Sequence, residues 1–186
     1  MEYNFDIIPN EQTPKVEMID CDDRTYIEKN REVLTAYLDY ASTKQSAVGL
    51  AANQTSLNDE RFAMRVFAIK AGTWKLIINP EITKYLGMIE TKVEGCLTWN
   101  HKLVIAKRSR AVEVSYYDMD GNYHQNEIYG GFEGQIWQHE INHLNGVEED
   151  IQDPPYQLPT PITIQCNDKC PCGSGKKYKH CCLLLL

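Results

Sequence analysis

The longest helical pattern in the sequence covers residues 26–46. Apolar side chains recur there at every third or fourth position, and neither glycine nor proline interrupts the run. A second helical pattern covers residues 131–145, where apolar and histidine side chains fall on or near one face and Gly146 is placed as a C-terminal cap. Both patterns predict α-helices.

Between these two helices the pattern changes to short runs rich in β-branched and aromatic residues. Asn79-Pro80 is a turn signal that closes one of these runs, and Asp120-Gly121 marks a hairpin turn between the last two. The middle of the chain is therefore predicted to be antiparallel β-sheet, and the fold class to be α+β. The predicted strands are residues 63–70, 74–78, 103–108, 111–118 and 123–128.

The chain is predicted to divide near residue 152. Residues 1–151 contain the predicted helices and strands, and a hydrophobic content of 42% over 186 residues is enough for one ordinary core. Residues 152–165 are rich in proline and have no helical or strand period, which predicts a stiff, extended linker. Residues 166–186 follow as a small cysteine-rich unit.

The cysteines and the apolar runs indicate the compartment. Five of the seven cysteines crowd into the last 21 positions, which favours metal binding in a reducing environment over disulfides. No apolar run reaches the roughly 18 residues of a membrane helix, and Glu2 and Asp6 lie where a signal peptide would be basic. We therefore expect a soluble, cytoplasmic protein with no membrane partner.

Charge is distributed unevenly along the chain. Residues 166–186 hold four lysines against one aspartate, a local charge of +3, while the whole chain carries −7, so residues 1–165 carry −10. An acidic main domain argues against general nucleic-acid binding there. The tail remains a candidate for contact with a polyanion.

The strongest chemical signal is His139-Glu140-Ile141-Asn142-His143. On a helix, the i, i+4 spacing stacks both imidazoles on one face, close enough to share a metal ion. Glu140 would lie beside that ion and could take a proton from an attacking water and return it to the leaving nitrogen. A bare five-residue match also fits a helix with two incidental histidines.

Two further segments add to this signal. Cys96, in Glu94-Gly95-Cys96-Leu97-Thr98, offers a thiolate that would complete a three-ligand site and leave one position open. The small residues from Ala47 to Gln54 suit close backbone approach to a substrate, and Gln54 could hydrogen-bond a polarised carbonyl. Taken alone, Cys96 could be an ordinary buried thiol and the small residues tight packing.

Together and in this order, the three segments resemble the signatures of the peptide deformylase family, G-x-G-Φ-A-A-x-Q, E-G-C-Φ-S and Q-H-E-x-D-H-Φ-x-G. The resemblance covers about residues 5–150. It implies mixed or antiparallel sheets wrapped around a central metal-binding helix, and removal of the formyl group from N-formylmethionyl nascent polypeptides with release of formate.

The resemblance also implies roles for individual residues. Cys96, His139 and His143 would bind a divalent metal, natively ferrous iron, although nickel, cobalt or zinc suits the same ligands. Glu140 would be the general acid and base. Gln54 and the backbone N–H of Leu97 would stabilise the oxyanion, and Gly49 would belong to the same catalytic group. The residues that would line the methionine pocket are Val48, Leu97, Phe132 and Ile136.

Three positions depart from the family pattern without removing a ligand. Ala47 stands for the first glycine, Thr98 for a serine, and Asn142 for the aspartate between the histidines. Asn142 is the departure of most interest, because a carboxylate there could orient a histidine or pair with Arg108. We expect lowered activity at most.

The tail contains a Cys-x-Cys knuckle, a Gly-Ser-Gly turn and a closing Cys-Cys pair, a spacing that closes a tetrahedral zinc site. This arrangement is similar to the SEC-C zinc motif. Zinc would supply most of the folding energy of so short a unit. We expect the lysine-bearing knuckle to dock on the ribosome or on a secretion chaperone, or else to be purely structural. The implied ligands are Cys170, Cys172, Cys181 and Cys182, with His180 as a substitute at the fourth place.

Two rival functions remain open. One is a general H-E-x-x-H metallopeptidase that cleaves internal peptide bonds, against which Cys96 argues, because such enzymes usually recruit a third histidine or a glutamate. The other is a catalytically silent binding module that retains the fold. Asn142 and Ala47 support the silent module, and the intact ligands and Glu140 oppose it.

Overall fold

The computed structural model describes residues 2–18, 23–99, 102–147 and 150–152, together with residues 167 and 177. Two antiparallel sheets and two α-helices form this part of the chain, so the predicted α+β class is confirmed. Neither of these helices is long and apolar enough to cross a bilayer. The predicted linker and zinc knuckle lie, apart from residues 152, 167 and 177, outside the described residues.

The two helices are α1 (Asp23–Ser42) and α2 (Gly131–Leu144). One sheet has the order β1-β3-β4, and the other has the order β2-β5-β6-β7-β8, with β9 also paired to β7. All of these pairings are antiparallel. The strands are β1 (Phe5–Ile7), β2 (Gly49–Ala51), β3 (Thr55–Leu57), β4 (Glu60–Arg61), β5 (Val66–Ala71), β6 (Thr73–Glu94), β7 (Leu103–Tyr117), β8 (Tyr123–Gly130) and β9 (Asp150–Gln152).

Helix α1 ends earlier than the prediction, at Ser42 rather than at residue 46. Near this end, the hydroxyl of Ser42 donates to the carbonyl of Asp39 (2.7 Å) and that of Thr43 to the carbonyl of Tyr40 (2.7 Å). These side chains satisfy carbonyls that further helical amides would otherwise bond, which favours termination of the helix.

Strand β6 does not end at Asn79-Pro80, as the turn signal predicted. Asn79 has a positive φ of 53°, and the pairing with β7 shifts between Ile78 and Glu81. This irregularity accommodates a proline, which has no N–H to give to the ladder, without ending the strand. Strand β6 therefore continues to Glu94, two residues before Cys96.

Strand β7 is one continuous element, although residues 103–108 and 111–118 were predicted as separate strands. Ser109 pairs with Ile89 and Ala111 pairs with Leu86, so the ladder with β6 extends on both sides of the expected break. Neither glycine nor proline lies at residues 109–110 to end the strand. Its length brings Arg108 into the region packed by α2.

Two hydrophobic clusters form the core of the described residues. One gathers around α1 and includes Leu34 and Leu50, and the other gathers around α2 and includes Trp137 and Ala51. Leu50 and Ala51 belong to different clusters because successive side chains of a strand point to opposite faces. Strand β2 therefore lies between the two clusters, with its backbone held by the Tyr37 hydroxyl, which donates to the Leu50 carbonyl (2.7 Å).

The C-terminal end of α2 is held by a buried guanidinium. Arg65, only 4% exposed, donates to the carbonyl of Val16 (2.7 Å), the carbonyl of Pro80 (3.0 Å) and the side-chain oxygen of Asn145 (2.9 Å). Gly146 follows with a φ of +62°, as its predicted role as a cap requires. Arg65 thus connects the end of α2 to the irregular point of β6.

We predict that Arg65→Met lowers the free energy of unfolding by about 3 kcal/mol, because the buried acceptors around the guanidinium lose their donor. Chemical denaturation of the full chain measures the change. Arg31→Met, at an exposed position of α1, is the control and should shift stability by less than about 0.5 kcal/mol. Equal effects of the two substitutions would contradict the role of Arg65.

Candidate metal centre

The structure brings the three predicted metal ligands together. His139 and His143 lie one turn apart on α2, with 3.1 Å between their Nε2 atoms, and Cys96 Sγ lies 3.3 Å from His143 Nε2. The three donor atoms all fall within 4.8 Å of one another. One soft sulfur and two imidazole nitrogens at this separation are a donor set that suits a divalent transition metal.

His139 is oriented by an ion pair that the sequence did not reveal. Its Nδ1 lies 2.7 Å from Glu94 Oε2, and Arg108 donates to both oxygens of Glu94 at 3.0 and 2.7 Å. Burial raises the pKa of Glu94, but the hydrogen bonds with His139 and Arg108 outweigh it and lower the pKa to about 2. Glu94 is therefore a carboxylate, and it accepts a hydrogen bond from Nδ1–H of His139 so that Nε2 faces the other predicted ligands.

The electrostatic environment of the two histidines suits a cation between them. Burial lowers the pKa of His139, but hydrogen bonds with Cys96 and Glu94 outweigh it and raise the pKa well above its ordinary value. Burial and the charges of His139 and Arg108 lower the pKa of His143 well below its ordinary value, so His143 is neutral, as a ligand must be. The acidic groups around His139 thus favour a positive charge there, which a metal ion could supply in place of a proton, while His143 keeps a free lone pair.

Glu140 is buried (3% exposed) on the same helix, against the backbone of β2. A Cβ at Gly49 would lie 2.8 Å from the carboxyl carbon of Glu140 and 2.8 Å from Cγ2 of Ile136. Because real Cβ atoms do not come this close to other atoms, a side chain at residue 49 would displace the carboxyl group of Glu140 or the side chain of Ile136. Glycine at residue 49 therefore leaves the space that the carboxyl group of Glu140 occupies.

Gln54 presents its amide nitrogen to the site in a fixed orientation. Its side-chain oxygen accepts from the backbone N–H of Ala51 (2.8 Å), and its Nε2 donates to Thr98 Oγ1 (2.9 Å) and lies 3.4 Å from Cys96 Sγ. Gln54 and Thr98 are both buried. The N–H groups of Gln54 therefore lie beside the sulfur, where a polarised oxygen could accept from them.

A cleft of about 510 Å³ opens onto these residues. All four residues predicted for the substrate pocket line it: Val48, Leu97, Phe132 and Ile136. Ile136 lies at its buried part (6% exposed), and Phe132 lies at its rim (64% exposed). Trp99 and Lys102 also line the cleft, which the sequence analysis did not predict.

The three departures from the family pattern have local explanations. Ala47 does not appear among the described residues with a positive φ, so glycine's freedom is not needed there. Thr98 uses its hydroxyl to hold Gln54. A carboxylate at residue 142 could have oriented a histidine or paired with Arg108. Glu94 does both, because it contacts His139 and Arg108.

Sequence reasoning missed residues that support the ligands from a distance along the chain. The amide of Gln138 bonds both backbone groups of Ser109, at 2.7 and 2.8 Å, and so fixes α2 against β7. The carbonyl of His143 accepts from Thr13 Oγ1 (2.9 Å) and from Asn53 Nδ2 (2.7 Å). No local pattern marks such residues, because their partners lie 29 to 130 positions away.

Comparison with protein families gives two matches. A model of the polypeptide deformylase family matches residues 10–148, which is most of the chain. A model of the SEC-C motif matches residues 167–184. Both resemblances drawn from the sequence are thereby confirmed.

Individual relatives agree with the family match. A peptide deformylase of Thermotoga petrophila is 37% identical over 101 residues, and the match covers 54% of this chain and 58% of that protein. This chain therefore spans less than two thirds of the length of that curated relative. A peptide deformylase-like protein of Rickettsia conorii is 28% identical over 148 residues, with coverage of 77% and 76%.

Solved structures share the fold. The crystal structure of peptide deformylase from Thermotoga maritima has a TM-score of 0.64 and 26% identity, covering 77% of this chain and 92% of that one. The deformylase of the Vibrio parahaemolyticus bacteriophage VP16T, in complex with actinonin, has a TM-score of 0.56 and 27% identity, covering 76% and 97%.

We predict that Cys96→Ala lowers the metal content of the full chain by one ion, because the variant loses one of three converging donors. Elemental analysis of anaerobically purified protein measures the content. Cys21→Ala, which removes a thiol outside both predicted metal sites, is the control and should leave the content unchanged. A Cys96→Ala protein with the metal content of the unmodified chain would contradict the site.

Proposed function

The chain belongs to the polypeptide deformylase family, and from that membership we propose that it hydrolyses the formyl group from N-formylmethionyl polypeptides and releases formate. The observation that carries this proposal is the convergence of Cys96, His139 and His143 within 4.8 Å, beside the buried carboxyl group of Glu140. A metal-assisted hydrolysis needs these two elements next to each other.

Cys96, His139 and His143 would hold a divalent metal, ferrous iron in the cell, although nickel, cobalt or zinc also suits this donor set. When bound, the ion supplies Lewis-acid activation of water and of the formyl carbonyl. The carboxylate of Glu94 lies 2.7 Å from His139 Nδ1, where it stabilises the positive charge of such a centre.

Glu140 is the general base and then the general acid. Its carboxylate takes a proton from the attacking water and delivers it to the nitrogen that leaves as the new amino terminus. Burial at 3% exposure keeps bulk water from competing for that proton. The absence of a side chain at Gly49 leaves the carboxylate the room it needs.

Gln54 and the backbone N–H of Leu97 stabilise the oxyanion. The carbonyl that is attacked gains negative charge, and preorganised donors are most effective when they need not reorient. Gln54 meets this condition because Ala51 N–H and Thr98 Oγ1 fix its amide from both ends.

The cleft would accept an unbranched apolar side chain, as methionine requires. Val48, Leu97, Phe132 and Ile136 provide an apolar lining next to the reacting groups, which is the usual composition of a small-molecule pocket. Phe132 is exposed at the rim, where a bound side chain would cover it.

We predict that Glu140→Gln lowers the rate of formate release from formyl-Met-Ala by about 100-fold or more, while metal content stays unchanged, because the amide cannot transfer the proton. A coupled formate assay measures the rate. Glu133→Gln, on the same helix but outside the cleft lining, is the control and should retain activity.

Each rival function would give a different result in this assay. A general metallopeptidase would cleave unformylated peptides and release internal fragments. A silent binding module would release no formate from the unmodified chain, and Glu140→Gln would change nothing.

We also propose that residues 166–186 form a zinc-binding adaptor after a linker at residues 152–165, with the catalytic domain at residues 1–151. The proposal is supported by the SEC-C match at residues 167–184 and by the local charge of +3. The zinc ligands would be Cys170, Cys172, Cys181 and Cys182, with His180 as a substitute. The adaptor would dock the enzyme in the cytoplasm on the ribosome, or on a secretion chaperone, near emerging polypeptides.

We predict that the full chain co-sediments with ribosomes at low salt and that a version ending at Pro161 does not. Replacing Lys169, Lys176, Lys177 and Lys179 by glutamine in the full chain should weaken binding similarly, since positive charge carries it. Formate release by each version shows that its catalytic domain is folded. Equal co-sedimentation of all three proteins with ribosomes would contradict the docking proposal.

A further inference from the structure

The N-terminal segment, residues 8–16, runs across all three segments that build the metal centre. The backbone N–H of Ile8 donates to the carbonyl of Gln54 (2.9 Å), and that of Asn10 donates to the carbonyl of Thr98 (2.7 Å). The N–H of Val16 donates to the carbonyl of Leu144 at the end of α2 (2.7 Å). Thr13 lies between these bonds, so its position relative to α2 is fixed from both sides.

Thr13 is buried (3% exposed) and contacts both the backbone and the ring of His143. Its hydroxyl donates to the carbonyl of His143 at 2.9 Å, and the same oxygen lies 3.4 Å from His143 Nδ1. A hydroxyl has one proton to donate. Because that proton is used on the carbonyl, the oxygen presents a lone pair to the ring.

A lone pair next to Nδ1 decides where the proton of the neutral imidazole resides. Nδ1 must be the donor, and Nε2 then keeps its lone pair, which points toward His139 Nε2 (3.1 Å) and Cys96 Sγ (3.3 Å). His139 has the same arrangement, with Glu94 as the acceptor at Nδ1. In the neutral form that a metal ligand requires, the two histidines therefore have matching tautomers, one set by a carboxylate and the other by a neutral hydroxyl.

We propose that Thr13 is a positioning residue of the metal centre, whose hydroxyl keeps the proton of His143 on Nδ1 and directs Nε2 to the metal. The inference rests on the proposed metal site but not on the formylated substrate. Asn53 strengthens it, since its Nδ2 donates to the carbonyls of Pro14 (2.8 Å) and His143 (2.7 Å) and so holds the two segments at a fixed distance.

Two substitutions of Thr13 separate the effect of its hydroxyl group from the effect of its side-chain shape. Thr13→Val keeps the volume and removes the hydroxyl, whereas Thr13→Ser keeps the hydroxyl and removes a methyl group. Thr55→Val is the matched control, because Thr55 is also fully buried and its hydroxyl also donates to a backbone carbonyl, that of Ala52 (2.7 Å). It removes the same kind of bond without touching a histidine.

The measurement is long-range ¹H–¹⁵N NMR of the histidine rings in the full chain, during titration of the zinc-loaded protein with a chelator. The resonances of His143 report occupancy of this site alone, independently of the cysteine-rich tail. We expect Thr13→Val to bind zinc at His143 about 10-fold or more weakly, a typical loss for a group that orients a metal ligand. Thr13→Ser and Thr55→Val should stay within about threefold of the unmodified chain.

The unmodified protein provides a second, independent readout. After removal of the metal, its His143 should still carry the proton on Nδ1, although free imidazole side chains favour Nε2. A proton on Nε2 in that state, or equal zinc affinity of Thr13→Val and the unmodified chain, would overturn the inference. If the ring resonances of His143 in the unmodified chain do not change with zinc at all, the predicted metal site is wrong. That result would also contradict the proposed function.

Discussion

The structure depends on the meeting of one thiol and two imidazoles at a single point. The imidazoles are brought together locally, since His139 and His143 are one helical turn apart, but the thiol of Cys96 comes from a loop that follows a 22-residue strand. Its position is therefore set by the long ladder between β6 and β7 and by Gln138, which fixes α2 to β7 through Ser109. A register shift of either strand would move the sulfur away from the helix.

The supporting residues turn this meeting into a preorganised site. Each imidazole has an oxygen acceptor at Nδ1, Glu94 for His139 and Thr13 for His143. The Gln54 amide is held at both ends, and the glycine at residue 49 makes room for the carboxyl group of Glu140. Such groups cost no reorganisation at the moment of reaction, which is the condition under which electrostatic stabilisation is most effective.

The sequence predicted the local parts of this arrangement well and the long-range parts poorly. Helix α2 and its cap at Gly146 followed from periodicity, whereas Asn79-Pro80 was wrongly taken as the end of a strand, because a turn signal cannot show that a partner strand continues to pair across it. The three signature segments were recognised by their motifs. Thr13 and Arg65 were not, since a buried polar residue has no pattern of its own until its partners are placed.

Binding of one metal ion by Cys96, His139 and His143 can be seen in a crystal structure of the metal-loaded chain with anomalous scattering data. We expect one anomalous peak about 2.3 Å from the sulfur of Cys96 and about 2.0–2.1 Å from each Nε2 for zinc, with one position left for a small ligand. A peak coordinated by other side chains, or no peak at these three atoms in protein that contains the metal, would contradict it.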